Sequence, residues 1–312
     1  MKKKSSKKNF GFGRSFKFAT KAVLKHKFGE GRYQTRQAHL CRSKLFFQFI
    51  YELGIDDFRF IEQDDIEAYA SWVASIVQSK RYSLSYGTNL LSSMNVILEC
   101  LREDRELEIS PSKYLGKRSH RRTKPLIYLP MEQVEARYIE LRKQEQETAF
   151  TFAASRLLGL RLRETVLLRP KEALKQHRSE GKINVTRGTK GGRKTSRWVA
   201  TSPFVEQVLE DALGNSKSKG SRNMIPSDQS MIKVYRHIEY KLRAYLKSEG
   251  FGTIHDLRAM FACDRMNTLI GYQVPIRGGG KIRDKAEYYE HAKTVAKELG
   301  HNREYVINSY CG

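Results

Sequence analysis

Residues 252–262 read GTIHDLRAMFA. His255 and Arg258 stand three apart, which on a helix places both side chains on one face. The pair makes a poor metal site, because a guanidinium repels cations and cannot ligate. It suits a phosphate, which the planar arginine fork grips while the imidazole accepts or donates a proton. A satisfied core histidine is the plainer reading of the same residues, so the motif needs company.

Working upstream, residues 155–170 read SRLLGLRLRETVLLRP. Arg161 and Arg163 would point about 200° apart on a helix, so only one can face a given site. Arg161 and Glu164 share a face, where Glu164 either buttresses the guanidinium or forms an ordinary surface ion pair. Residues 182–200, KINVTRGTKGGRKTSRWVA, break an otherwise helical pattern. Ile183 and Val185 alternate with polar residues, Gly188, Gly191 and Gly192 supply a turn, and Trp198 and Val199 follow. That predicts a β-hairpin with Lys190 at its tip, although a lysine on a turn is most often solvated.

Working downstream, residues 299–310, LGHNREYVINSY, place Tyr310 nine positions after His301. On one unbroken helix that is about 900°, which sends the two side chains to opposite faces. If both serve one site the chain must bend between them, and Gly300 and Asn302 provide a helix end. Tyr305 lies about 140° round such a helix from Tyr310 and reads as packing. Tyr288 and Tyr289 read as core or surface.

The 312-residue chain carries 58 Lys and Arg against 34 Asp and Glu, a net charge of +24. Such a field attracts polyanions, nucleic acid first, with a ribosome-like or merely soluble basic protein as the alternative. Cys41, Cys100, Cys263 and Cys311 are scattered without CxxC spacing, which suggests no zinc site and no disulfide framework, and points to a reducing compartment. No apolar run reaches the length of a membrane span, and the basic N-terminus lacks the apolar stretch of a secretory signal.

The length favours two domains. Residues 1–37 form a basic arm with Glu30 as the one acid and Phe10, Phe12, Phe16 and Phe18 interleaved. The arm is either a DNA-tracking segment or a solvated tail; its loss is expected to weaken binding to every DNA sequence alike and lower the salt slope. Residues 38–104 read as an all-helical domain. Residues 105–125 read as a linker whose cations, Lys117, Arg118, Arg121, Arg122 and Lys124, are candidate DNA contacts. Residues 126–312 form a second, mostly helical domain.

Taken in order, Arg161, Lys190, His255, Arg258, His301 and Tyr310 resemble the catalytic set of the tyrosine recombinase, or phage integrase, family. GLRLRE resembles its first-arginine box, GTKGG its lysine hairpin, HDLR its His-x-x-Arg, and LGH with a tyrosine nine residues on its nucleophile segment. The likeness spans about 160–310. It implies a mainly α fold with a small β-hairpin, a two-domain DNA clamp built of a helical core-binding domain and a catalytic domain. It also implies a site-specific recombinase, the integrase of a mobile element, working through a 3′-phosphotyrosine. In that chemistry Tyr310 attacks the phosphodiester while Arg161 and Arg258 neutralise the non-bridging oxygens. Lys190 protonates the departing 5′-oxygen, His255 handles the tyrosine proton, and His301 hydrogen-bonds the phosphate; no cofactor or metal is needed. The implied partners are double-stranded DNA, further copies of the chain (a dimer on a site, a tetramer in synapsis) and accessory DNA-bending or directionality factors, in the nucleoid of a bacterial cytoplasm.

Two features depart from the family pattern. The 42 residues between Arg258 and His301 suggest an insertion at about 271–298, whose RGGGKIR stretch reads as a flexible loop for DNA or a partner. Only Cys311 and Gly312 follow Tyr310, so coupling between protomers is assigned to the insertion or the arm, and deleting 277–283 should impair synapsis. A type IB topoisomerase-like relaxing enzyme and a non-catalytic DNA-binding relative are the rival readings, the second opposed by the intact set of six.

Overall fold

A computed structural model describes residues 7–189 and 196–312, so Lys190 lies outside the described residues. The chain divides into two compact units, Met1–Ser119 and His120–Gly312. The division falls within the 105–125 stretch.

The first unit is helical: α1 (Phe16–Phe28), α2 (Tyr33–Glu52), α3 (Gln63–Gln78), α4 (Leu84–Arg102) and the short α5 (Pro111–Leu115). The three helices expected between 38 and 104 are present, and their aromatic residues serve the core: Phe46, Phe47 and Tyr69 are all buried. The basic N-terminal stretch departs from expectation, because from residue 8 onward it is folded rather than a free arm. Phe16, Ala19, Val23 and Leu24 of α1 are buried at helical spacing, while Lys17, Lys21 and Lys25 take the outer face. The Phe16 ring packs on Tyr51 at 4.8 Å and Phe58 at 4.4 Å. The buried Asn9 side chain accepts from the Phe58 amide at 2.9 Å, so this segment is knitted to residues 57–58.

The expected linker is also partly structured. Leu107 and Ile109 are buried, and Asn95 donates its side-chain amide to the Ile109 carbonyl at 2.7 Å. Pro111 starts α5 at the first helical position, where its missing N–H costs nothing.

The second unit runs α6 (Met131–Gln144), α7 (Gln146–Leu157), α8 (Leu162–Leu167), α9 (Pro170–Glu180), β1 (Lys182–Asn184), β2 (Trp198–Ala200), α10 (Pro203–Ser218), α11 (Met231–Ser248), α12 (Ile254–Ile270), α13 (Lys285–Glu298) and α14 (Asn308–Cys311). The strands pair antiparallel with Ile183 opposite Val199, the hairpin that the alternating pattern predicts. Every residue of α7 after Gln146 is buried, so it is the central rod on which α6, α10, α11 and α12 pack. The Arg156 guanidinium on that rod donates to the Leu129 carbonyl at 2.9 Å and pairs with Asp264 at 2.7 Å, which satisfies a charge deep in the core.

The 271–298 stretch does not stand away from the fold as a free loop. Tyr288, Ala292, Val295 and Ala296 of α13 are core residues. A short 3-10 turn at Pro275–Arg277 packs against α14. Arg277 pairs with Asp264 at 2.9 Å and lies over the Tyr128 ring at 3.5 Å, so the RGGG arginine is used internally.

The core position of α1 yields a test. Phe16→Ala should destabilise the first unit by about 3–5 kcal/mol, read as a lowered urea midpoint; an unchanged midpoint would return α1 to the status of a loose arm.

Candidate active site

Arg161 is the residue immediately before α8, extended at φ −77° and ψ 152°, rather than a residue within a helix. This turns its side chain inward and leaves Arg163, one step into α8, exposed. The Glu164 carboxylate accepts the Arg161 backbone N–H at 2.8 Å and its guanidinium at 2.8 Å. Glu164 is fully buried, so the pair is a buttress and not a surface ion pair. Burial alone would raise the Glu164 carboxyl, but Arg197 and Arg161 hold it below the usual carboxylate range.

His255 and Arg258 lie in the first two turns of α12. Thr253 and Asp256 cap that helix reciprocally, with the Thr253 amide donating to Asp256 Oδ2 at 2.8 Å. Arg258 is 1% exposed. It donates to the carbonyls of Gly159 and Leu299, which aims its fork at the joint between α7, α12 and the chain after α13. Burial pushes its guanidinium down to about 10, which leaves it charged at neutral pH. His255 is held below the ordinary histidine value, first by burial and next by the charge of Arg258.

The bend that the His301–Tyr310 spacing demands is present. After α13 ends at Glu298, Gly300 takes φ +67°, a conformation that a side chain would strain. A 3-10 turn at Glu304–Ile307 then leads into α14, which carries Tyr310. Tyr310 is 2% exposed, and Tyr305 is 62% exposed, its ring tilted against Tyr289 at 4.9 Å.

Five of the six sequence-selected residues therefore converge. Arg258 Nε donates to Tyr310 Oη at 3.3 Å, and His301 Nε2 is 3.1 Å from the same oxygen. Arg161 Nη2 and Arg258 Nη2 approach His301 Nε2 at 3.3 and 3.4 Å. Guanidinium groups only donate, so His301 Nε2 presents its lone pair to them and to the tyrosine hydroxyl. The His255 and Tyr310 rings lie 5.4 Å apart. His301, which sequence reasoning assigned to the phosphate, is thus within hydrogen-bond reach of the tyrosine proton.

The terminal helix is anchored on several sides. The Arg122 amide donates to the Asn308 carbonyl at 2.8 Å, and Cys263 Sγ lies 3.6 Å from the Tyr310 carbonyl and 3.9 Å from Cys311 Sγ. Burial pushes the Cys311 thiol up, which keeps it protonated as packing. Arg122 also pairs with Asp256 at 2.7 Å. Its guanidinium is committed within the unit, which removes it from the candidate DNA contacts, whereas Lys117, Arg118, Arg121 and Lys124 are exposed.

Sequence reasoning missed Arg197, a buried cation whose Nη1 lies 2.7 Å from Glu164 Oε1. It stands in SRWVA, where only the strand pattern drew notice, and nothing local marks its side chain as buried.

Residues 117–264 match the family model described as Integrase. The fold is similar to that of the Tn1549 transposon integrase solved in complex with transposon right end DNA (TM-score 0.57, 17% identity, 94% of each chain covered). It is similar also to a lambda integrase dimer bound to a COC′ core site (TM-score 0.59, 12% identity, 93% of this chain and 92% of that one). A lambda integrase tetramer bound to a Holliday junction is similar over 78% of this chain and 69% of that one, at 14% identity and TM-score 0.50. No curated protein sequence matches the chain. The family-model match over 117–264 and the likeness of fold both point to integrases.

The depressed His255 value has a measurable sign. Below the unfolded histidine value near 6.5 the unfolded chain binds this proton more readily than the folded one. Stability held above that pH should therefore be lost on acidification. His255→Gln should lose less unfolding free energy than wild type between about pH 7 and 5, followed by denaturant titration at each pH; equal losses would contradict the buried neutral imidazole.

Proposed function

We propose that the chain is a site-specific DNA recombinase in which Tyr310 is the nucleophile and Arg161, Arg258, His255, His301 and Lys190 serve its reaction. The observation that carries this reading is the placement of Tyr310 Oη within hydrogen-bond distance of both Arg258 and His301, with Arg161 on the far side of the same imidazole. A tyrosine with no chemical role has no need of a buried guanidinium and a histidine lone pair at its hydroxyl.

In the proposed step Tyr310 Oη attacks a DNA phosphodiester in line with the 5′-oxygen. The bond from phosphorus to that oxygen breaks as the phosphotyrosine bond forms. A phenol is weakly nucleophilic near pH 7, so its proton must pass to a base. His301 Nε2 is the acceptor in reach, with neutral His255 beside the ring as the second candidate. Arg161 and Arg258 stabilise the charge that develops on the non-bridging oxygens, in a site from which water is largely excluded. Lys190 supplies the proton that the departing 5′-oxygen needs. Gly188, two residues before it, lies so close to Glu164 that an added Cβ would fall 2.9 Å from the Glu164 Cα, which supports a hairpin docked on α8. The covalent link conserves the phosphoester, so attack by the 5′-hydroxyl of a second strand reverses the step and completes the exchange.

The reading takes double-stranded DNA as the partner and assembly of several copies on it, as in the dimeric and tetrameric lambda integrase structures. The net charge of +24 favours association with DNA. Bending or directionality factors would be separate proteins. No helix of the described residues is long and apolar enough to cross a membrane.

The test is covalent capture. A randomised pool of nicked duplexes, incubated with the protein and resolved under denaturing conditions, should yield a protease-sensitive adduct for wild type and none for Tyr310→Phe. His301→Gln should slow capture at least tenfold, in the range of a lost general base. No adduct, or one that survives Tyr310→Phe, would remove Tyr310 from the reaction; sequencing the captured DNA reports whether cleavage is site-specific or relaxed, as a topoisomerase-like activity requires.

A further inference from the structure

Arg197 belongs to none of the motifs that define the site, yet only 4% of it is exposed. It stands just before β2, held by the hairpin itself: its backbone N–H donates to Asn184 Oδ1 at 2.9 Å, and its carbonyl accepts from the Val185 amide at 2.8 Å. Its side chain then makes two long-range attachments. Nη1 lies 2.7 Å from Glu164 Oε1, the oxygen that also receives Arg161 Nη1 at 2.8 Å. Nε donates to the Glu298 carbonyl at 2.7 Å.

Both attachments end on groups that place reacting residues. Glu164 fixes Arg161, and Glu298 closes α13 three residues before His301. The Glu298 carboxylate is itself gripped by Arg265 of α12 at 2.6 and 2.9 Å, so the carbonyl is a firm anchor. Arg197 also lies beneath the Gly300 turn, where an added Cβ would meet its Cδ at 3.2 Å. Nη1 meets Glu164 as an ion pair outside hydrogen-bond geometry, and Nη2 is buried without a hydrogen-bond partner among the described residues. A cation left part-satisfied in this way is costly, and a purely structural role would be met more cheaply by an apolar side chain.

We propose that Arg197 is a positioning residue for strand cleavage, setting Arg161 through the shared Glu164 carboxylate and His301 through the Glu298 carbonyl. Without its charge, Glu164 faces one competitor fewer and draws Arg161 closer, away from an incoming phosphate. Without its Nε–H, the turn after α13 loses the tie that sets the height of the imidazole. The inference rests on the cleavage chemistry proposed above.

The experiment measures single-turnover cleavage and DNA affinity together, on the full chain with a duplex recovered by covalent capture. If wild type forms no adduct, the cleavage reading fails and this inference falls with it. If it does, Arg197→Met should cleave about 100-fold more slowly, the scale of an ångström-sized misplacement, with affinity within about twofold of wild type. Arg197→Lys, which keeps the charge but cannot reach both acceptors, should fall between the two. Adding Arg197→Met to Arg161→Lys should cost far less than it costs alone, because both act on one contact. Should Arg197→Met fail to fold, Arg197→Lys decides alone, by slowed cleavage at retained affinity. Wild-type cleavage in Arg197→Lys, independent losses in the double variant, or unfolding of both single variants would overturn the positioning role.

Discussion

A single buried carboxylate organises the second unit. Glu164 lies within 2.8 Å of Arg161, 2.7 Å of Arg197 and 3.9 Å of Arg258, with no exposed surface. Three cations around one anion leave an excess of positive charge that water cannot screen. Removing one partner of such a buried cluster costs about 3–5 kcal/mol, because the charge left behind is uncompensated. The arrangement holds because further donors and acceptors share the load: the Arg161 amide on Glu164, and the carbonyls of Gly159, Leu299 and Glu298 on the guanidiniums. What remains unbalanced is what an arriving phosphate diester would neutralise.

The proposed nucleophile, Tyr310, depends on the same principle of distant parts meeting. The helix of Tyr310 has only four residues, too short to stand alone, and is kept in place by Arg122, by Cys263 and by the Pro275–Arg277 turn. Those contacts come from before, within and after α12. The stretch that looks like an insertion in the sequence is thus part of the support for the tyrosine. Arg277 reads as a loop cation available to DNA, but its guanidinium is spent on Asp264 and the Tyr128 ring.

The motif residues were legible in the sequence because each sits in a short pattern with local meaning: a helix face for His255 and Arg258, alternation for the hairpin, a forced bend between His301 and Tyr310. The amphipathic helices of both units were legible for the same reason. Errors arose where one cation type can serve two environments. Lys17, Lys21 and Lys25 masked the apolar stripe of α1, so a folded helix read as an arm. Arg122 and Arg277 carry the same charge as the exposed cations around them, and nothing in their neighbours reveals that Asp256 and Asp264 wait across the fold. Arg197 is the extreme case, since its partners lie 33 residues before it and 101 residues after it in the chain.

By itself, the sequence determined which chemistry is on offer, a tyrosine with arginines and histidines in a defined order, and which stretches bury one face. The tertiary structure alone decided which arginines gather at the His301–Tyr310 pair, which are paired elsewhere, and which histidine reaches the tyrosine hydroxyl. The reason is physical. Periodicity is a property of neighbours along the chain, whereas a guanidinium finds its acceptor wherever folding places an oxygen within about 3 Å.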